Sequence, residues 1–402
     1  MSTINKVKGT RDYFEKEAEI LSFAFLKLNR IAKSFGYKWV DFSILEHAEL
    51  FSRAVGKETD IVSKEMFSFK DKSERNLVLR PEGTSSVVRM ILENKLVELE
   101  AKKNYFYINK MFRYENPQKG RQREFYQFGI ESFNEKKYHK DVEIISMAIM
   151  ILKEFLIKDF NLEINYLGSK KSRDKYKIAL KEYLKKDFSN LSIDSKKRFE
   201  KNILRILDSK DKNDKEILKN APKITDYLES DEKENFFNIL KELKENDINF
   251  NLNPKLVRGL DYYNNLVFEF VSSDNKNIGA QNTIIGGGRY DDLVEILNHK
   301  KNVPAIGFAL GIERLISASP LMNEENLEKE EILYLLAKTP KEEKYLNRAA
   351  RILREKYNVL IKYNSDKNLT KRIAQAKKNG ATHIGIINKE FEKTGNIEVK
   401  KI

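Results

Sequence analysis

The chain has 402 residues, 41% hydrophobic and 34% charged, with 24 Phe and 18 Tyr to pack. That suits two or three domains and is not a disordered composition. It contains no Cys and four scattered His, His47, His139, His299 and His383. Disulfides, thiolate metal sites and cysteine nucleophiles are therefore excluded, and a His-based metal site would need distant carboxylates.

The first residues, MSTINKVKGTRDYF, lack the apolar core of a secretory signal. The longest apolar stretch, around 144–152, is too short to cross a bilayer. A soluble, cytoplasmic protein is expected. Residues 1–168 mix patterns, with helices predicted over 17–35 and 142–155. In LRPEGTSSVVR (79–89) a turn precedes an apolar helical run, with Thr84 or Ser85 as the expected N-cap. Glu82 at that turn is unexplained by capping and could receive a substrate ammonium. In MFRYENPQKGRQREFYQFGIESF (111–133) strand-like arms flank a basic turn held by Pro117 and Gly120. Alternation in its second arm puts Gln127, Gly129 and Glu131 on one face and Phe128 and Ile130 on the other. Polar groups around a glycine suggest a pocket floor, and a carboxylate buried there needs a partner.

Residues 169–252 contain no Gly and carry apolar residues at helical spacing, as in Tyr176, Leu180, Tyr183 and Leu184; a helical subdomain is predicted. Residues 253–322 are Gly-rich, with strands expected at LVFEFV (266–271) and NTII (282–285). The triple glycine Gly286 to Gly288 fits neither a P-loop nor a dinucleotide fingerprint and is expected as a tight exit from a strand. The acidic NEENLEKEE (323–331) is an expected linker. Beyond it, strands at 332–337, 358–363 and 382–388 alternate with helices at 341–356 and 369–378, and Gly380 stands where a helix C-terminal glycine belongs. The pattern β-α-β-α-β implies a small α/β domain with parallel strands.

The formal net charge is +14, and residues 331–402 hold 17 Lys and Arg against 8 Asp and Glu, a net +9. This is either a Lys-rich habit of the whole chain or a terminal module that meets a polyanion. No nucleophile is evident. Three arginines (Arg113, Arg258, Arg314), two carboxylates (Glu82, Glu131) and glycine-lined walls suit phosphoryl or nucleotidyl transfer, in which cations clamp developing charge.

With these residues in place, the chain resembles the histidyl-tRNA synthetase family of class II aminoacyl-tRNA synthetases. The resemblance is carried by KGTRDY (8–13), RPEGT (80–84), FRYENPQKGRQREFYQFGIE (112–131), LVRGLDYY (256–263), GGGRYDDLV (286–294) and GFALGIER (307–314). It implies an α+β fold: a catalytic domain on a mainly antiparallel sheet (1–168 and 253–322), a helical insertion domain (169–252) and a C-terminal α/β anticodon-binding domain (331–402). It implies histidine activation with ATP and Mg²⁺, transfer to tRNA(His), and a homodimer. Arg113 and Arg258 would be catalytic, meeting the ATP α-phosphate and the histidine carboxylate, Arg258 where other class II enzymes use a metal. Arg314 would contact the ATP tail and Phe125 the adenine. Glu82, Thr84 and Gln127 would take the histidine ammonium, and Glu131 and Tyr263 the imidazole, with Tyr262 and Gly83 lining the pocket. Gln118 would touch the tRNA acceptor end, and no protein side chain is assigned to a metal. Ser43 stands where the family's first motif has a proline, Asn116 where an arginine is frequent, and the terminal module is expected to lack a strand-helix piece. HIGI (383–386) is expected as a core strand. The competing expectation is the family's non-catalytic relative, the regulatory subunit of ATP phosphoribosyltransferase.

Overall fold

The computed structural model describes residues 4–96, 102–118, 120–273, 282–297, 302–322, 331–363 and 368–402. The expected linker lies, but for Glu331, outside the described residues. The chain forms two compact units, Met1–Glu324 and Glu325–Ile402.

In the first unit the strands are β1 (Lys38–Trp39), β2 (Leu45–His47), β3 (Phe67–Lys70), β4 (Asn76–Leu79), β5 (Lys103–Phe112), β6 (Glu124–Phe133), β7 (Phe160–Tyr166), β8 (Asn251–Leu252), β9 (Asn264–Ser272), β10 (Thr283–Arg289) and β11 (Ala305–Gly311). Eight of them make one sheet in the order β1-β5-β6-β11-β10-β9-β7-β8. Its six inner strands are antiparallel, while β1 and β8 join the edges in parallel. β2, β4 and β3 form a small separate sheet.

Alternation along the strands divides the unit into two cores. Phe128, Ile130, Phe268, Phe270 and Phe308 pack on one side against helices Glu15–Ser34, His139–Glu154 and Ser230–Glu245. Both predicted helices of this region are present, the second beginning three residues earlier, at His139. Tyr107, Val267 and Tyr290 face the other core, which the insertion shares.

The glycine-free stretch is helical as expected, with helices Lys170–Lys185, Ile193–Lys201, Lys212–Ile217 and Ser230–Glu245 separated by short 3₁₀ turns. Tyr176, Leu180 and Leu184 form its buried stripe, and Tyr183 donates its hydroxyl to the Ile217 carbonyl at 2.7 Å. The short helices are tied by Asp214, whose carboxylate accepts from the Ser192 N–H and from the hydroxyls of Ser192, Ser195 and Ser209.

Two expectations are corrected here. The triple glycine is no strand exit: NTII continues through Gly286 to Gly288 as far as Arg289, paired on both sides with β9 and β11. The missing side chains are needed inside the sheet, as the site shows. Helix Thr84–Glu93 also has no side-chain cap from Thr84 or Ser85; Glu82 takes that role.

The second unit has its own cores on either side of a four-stranded sheet, β13-β12-β14-β15, made of β12 (Ile332–Ala337), β13 (Asn358–Lys362), β14 (His383–Ile387) and β15 (Glu398–Lys401). β12, β13 and β14 are parallel as expected, with HIGI on β14. β15 is an unpredicted antiparallel edge; its mostly exposed Glu-Val-Lys-Lys carries no apolar pattern, and edge strands are commonly charged. The helix expected over 341–356 is shorter: a 3₁₀ turn, Pro340–Tyr345, with a Thr339–Glu342 capping box, precedes helix Leu346–Leu353. Gly380 has φ +88°, a left-handed position suited to glycine after helix Leu369–Lys378.

The far end of β10 is locked by a buried ion pair. Arg289 donates from Nε and Nη2 to the two Asp141 carboxylate oxygens at 2.8 and 2.5 Å, and from Nη1 to the Glu135 carbonyl. Both side chains are sealed from solvent. Asp141→Ala leaves the buried arginine with only the longer contact to Asp291, at 3.4 Å, and should cost about 3–5 kcal/mol, read as a lowered denaturant midpoint; an unchanged midpoint would contradict this role.

Candidate active site

Cross-strand partners in a sheet share a face, so the register places Tyr107, Gly129, Ala309, Gly286 and Glu269 in one row across five strands. Adjacent rows place Asn109 and Gln127 beside Gly311, and Glu131 beside Gly307 and Gly288. The alternation read from YQFGIES is the alternation observed. The glycines are required by what lies over them. A Cβ on Gly83 or Gly129 would run into the Tyr107 ring, one on Gly307 into the Glu131 carboxylate and one on Gly286 into the Arg258 guanidinium. The sheet is kept bare at Gly129, Gly286 and Gly307 so that three functional side chains can lie against it.

Above this floor the turn before helix Thr84–Glu93 presents Glu82. Its carboxylate accepts from the backbone N–H of Thr84 at 2.8 Å and of Ser85 at 2.9 Å, so it caps the helix. The Thr84 hydroxyl is thereby released to donate to Glu131 at 2.7 Å. Glu131 also accepts from the Tyr290 hydroxyl. Burial pushes the Glu131 carboxyl up to about 8, against the lowering effect of these two hydroxyls. Burial likewise raises Glu82, opposed by its helix N–H bonds. The Tyr107 hydroxyl donates to Gln127 Oε1 at 3.1 Å and fixes the amide's orientation.

The same cleft is strongly cationic. Arg11, Arg113, Arg121, Arg258 and Arg314 all line the same cleft of about 350 Å³, together with Glu82, Thr84, Phe125, Gln127, Tyr262 and Tyr263. Arg113 is anchored by Nε to the Pro81 carbonyl at 2.9 Å, its guanidinium 5.3 Å from the Phe125 ring centre. Arg258 pairs with Glu269, which also accepts from the Thr283 hydroxyl at 2.8 Å. Arg314 bridges the Thr283 and Gly120 carbonyls at 2.8 and 3.0 Å. Its proton affinity is lowered by burial and by Arg113 and Arg121. Such a concentration of arginines fits a ligand with several negative charges.

Nine of the residues singled out in the sequence therefore meet in one cleft. Gly83 and Glu131 stand behind its wall. Gln118 pairs with Arg121 near the tip of the β5–β6 hairpin and does not line the cleft.

The histidyl-tRNA synthetase family model matches residues 9–315. The chain belongs to the histidyl-tRNA synthetase family. It is similar to the histidine--tRNA ligase of Fervidobacterium nodosum, with 46% identity over 78% of this chain and 73% of that protein. It is also similar to the chloroplastic histidine--tRNA ligase of Pyropia yezoensis, with 37% identity over 100% of this chain and 92% of that one. Among solved structures, apo histidyl-tRNA synthetase of S. aureus superimposes with a TM-score of 0.80 at 29% identity, covering 99% of this chain and 95% of that one. The fold alone is shared with an ATP phosphoribosyltransferase regulatory subunit/histidyl-tRNA synthetase from Bacillus halodurans, at 19% identity and a TM-score of 0.64.

Sequence reasoning missed Tyr107 and Tyr290, the groups that orient Gln127 and Glu131. Tyr290 sits within the quoted GGGRYDDLV motif, which was a usable signal; Tyr107 lies in an ordinary strand pattern, and only the register beside Gly129 reveals it. Glu269, the partner of Arg258, and Thr283, which donates to Glu269, were missed for the same reason.

The raised Glu131 carboxyl has a consequence for stability. The native state holds this proton more tightly than the unfolded chain, whose carboxyl titrates near 4.5. Its contribution is complete below pH 4.5 and is lost as the pH rises towards 8. Glu131→Gln cannot ionise, so its melting temperature should gain on the wild type between pH 5 and pH 8.5. A difference that is flat across this range would refute the assignment.

Proposed function

We propose that the chain is a histidine--tRNA ligase, which activates histidine with ATP to histidyl-adenylate and pyrophosphate and then passes the histidyl group to the 3′ end of tRNA(His). The observation that carries this reading is one cleft with two chemically different sets of groups. Five arginines line it for anionic groups; the buried Glu82 carboxylate with Thr84, Gln127, Tyr262 and Tyr263 line it for a small cationic, hydrogen-bonding substrate, with Glu131 behind the wall.

The residues divide accordingly. Glu82, Thr84 and Gln127 take the histidine ammonium, and Glu82 can do so because its capping bonds leave further lone pairs. Glu131 and Tyr263 read the imidazole, which has one donor and one acceptor on opposite edges, with Tyr262 and Gly83 shaping the pocket. An apolar analogue would leave these groups unpaired, at a cost of about 10⁴–10⁵ in selectivity. Arg113 and Arg258 hold the histidine carboxylate and the α-phosphate together. A carboxylate oxygen attacks the α-phosphorus and the bond to pyrophosphate breaks; the guanidinium groups offset the charge that develops. Phe125 packs on adenine, and Arg314 meets the β- and γ-phosphates. In the second step a terminal ribose hydroxyl of tRNA attacks the carbonyl carbon and AMP leaves. Gln118, at the hairpin tip, is placed to meet the acceptor end.

Mg²⁺ would enter on the ATP phosphates. Among the described residues no three carboxylate or imidazole groups gather to hold a metal. The nearby carboxylates are engaged: Glu115 with Arg121, Glu269 with Arg258, and Glu313 with the Tyr126 N–H and the Tyr13 hydroxyl. Such a site leaves the ion to substrate oxygens and water, as Mg²⁺ commonly prefers.

The unit Met1–Glu324 comprises the catalytic domain (1–168 and 253–322) with its helical insertion (169–252). The second unit is the anticodon-binding domain (331–402), whose positive excess suits tRNA phosphates. Two chains pair as a homodimer; the exposed Trp39, Ile44, Leu45 and Phe69 supply apolar surface for it. Ser43, where a proline was expected, instead donates to the Leu45 carbonyl at 2.7 Å and fixes that turn. Among the described residues no helix is long and apolar enough to cross a membrane, and the proposed setting is the cytoplasm.

ATP–pyrophosphate exchange, with the twenty amino acids offered singly, tests the function. Exchange is expected with histidine alone. Absence of exchange with all twenty, while histidine binds, would favour the regulatory relative. A second measurement isolates Arg258: Arg258→Ala should lower the exchange rate by about 10²–10³, with histidine binding retained in equilibrium dialysis. Near-normal exchange would remove Arg258 from the clamp.

A further inference from the structure

Arg258 stands on a stretch, 257–263, that belongs to no helix or strand. Arg258, Leu260 and Tyr263 line both the cleft and a second cavity, of about 910 Å³, that the helical insertion helps to enclose. The stretch is thus a wall shared by two cavities. Its backbone is tied to the body of the unit at Asp261, whose N–H donates to the Val55 carbonyl at 3.0 Å. Two further ties come from the insertion. Asn202 Nδ2 donates to the Asp261 carboxylate at 2.8 Å, and Arg205 Nη1 donates to the Arg258 carbonyl at 3.1 Å.

Both residues stand on a braced element. Asn202 follows helix Ile193–Lys201, and Arg205 lies in the 3₁₀ turn Ile203–Ile206. Residues three apart share a face of such a turn, so Ile203 and Ile206 are buried together in the core and Arg205 is left to reach across. The turn is held in return by Arg198, which donates from Nη1 to the Arg205 carbonyl at 3.1 Å. Close approach is built in: Gly259 has no side chain, and a Cβ there would stand 3.2 Å from Arg205 Nη1. Docking of the insertion does not by itself account for the arginine. Its contact with Asp60 is 3.8 Å long, and partly exposed ion pairs of this kind contribute little. Its short, charge-assisted bond goes to the Arg258 carbonyl, and bonds of that class are the stronger ones.

We infer that Arg205 is a positioning residue for adenylate formation: from the insertion it fixes the main chain of Arg258 while the Arg258 guanidinium exchanges one anion for another. The inference rests on the proposed role of Arg258 in that step. The Arg258 side chain is held at its far end by Glu269. A phosphate that takes the guanidinium removes that hold. The bond to Arg205 lies at the other end of the residue and is untouched by the exchange, so the main chain keeps its place while the side chain moves. An arginine side chain is long, and a small drift at its base displaces the guanidinium by more than transfer geometry tolerates. Asn202 supports the same wall one step further along, through Asp261. The insertion thereby acquires a part in the first half of the reaction, in which no tRNA takes part.

The test is a double-mutant cycle in the full-length chain, read by ATP–pyrophosphate exchange without tRNA at varied histidine. Arg205→Ala should lower kcat about tenfold or more and move the KM for histidine less than about twofold. In the Arg258→Ala background the same substitution should cost less than about twofold, because the group it positions is gone. Equal losses in the two backgrounds would mean that Arg205 acts elsewhere, and an unchanged kcat would mean that it does not act; either overturns the inference. Lys201→Ala removes only an exposed docking pair with Glu58, and its kcat should stay within about twofold of the wild type. A loss there as large as that of Arg205→Ala would show general docking in place of positioning. Should Arg205→Ala fail to fold, Asn202→Ala must show a kcat loss that vanishes in the Arg258→Ala background, and its absence overturns the inference. If the wild type itself gives no exchange with histidine, the catalytic reading fails and the role of Arg205 falls with it.

Discussion

The site depends on backbone without side chains. Gly129, Gly286 and Gly307 lie on inner strands of the large sheet, each beneath a different group: a phenol, a guanidinium and a carboxylate. Glycine weakens a strand, because it has more freedom to lose and nothing to pack. The sheet accepts that penalty at its centre, where pairing on both sides and the aromatic core beneath hold the strands regardless. The charged groups thus sit on a rigid floor at van der Waals distance, not on loops, which gives the positional accuracy that transfer chemistry demands.

Much of this was legible in the residues. Gln127, Gly129 and Glu131 could be assigned one face because a strand has period two, and Tyr176, Leu180 and Leu184 one stripe because a helix has period 3.6. What escaped were relations across distance. Tyr290 reaches Glu131 over a separation of 159 residues, and nothing local to either position announces it. The triple glycine was read as an exit because glycine usually ends regular structure; only its neighbours Phe268 and Arg258 show why it must continue. The capping error has a similar origin. Thr84 is the conventional cap, but a deeper carboxylate claimed its oxygen and Glu82 filled the vacancy.

The charges follow a related division. In the first unit the buried pair Arg289–Asp141 is structural and hidden, with the remaining donors of Arg289 taken by Asp291 and backbone carbonyls. The arginines of the cleft are instead held by carbonyls or by a single carboxylate and face a cavity. Burial alone does not separate the two kinds. The difference lies in whether a cation's hydrogen-bonding capacity is exhausted within the protein.

Glu82 illustrates what such exhaustion means for timing. Both of its oxygens are already tied to a helix end before any substrate arrives, so its rotamer is set by folding and no side-chain freedom remains to be lost there. Arg258 is parked on Glu269, a contact that a phosphate could outcompete. The Glu82 part of the cleft is thus a fixed template and the Arg258 part an exchangeable one. Adjustment to an anionic ligand would fall on Arg258, whose guanidinium can leave one anion for another without disturbing a single strand.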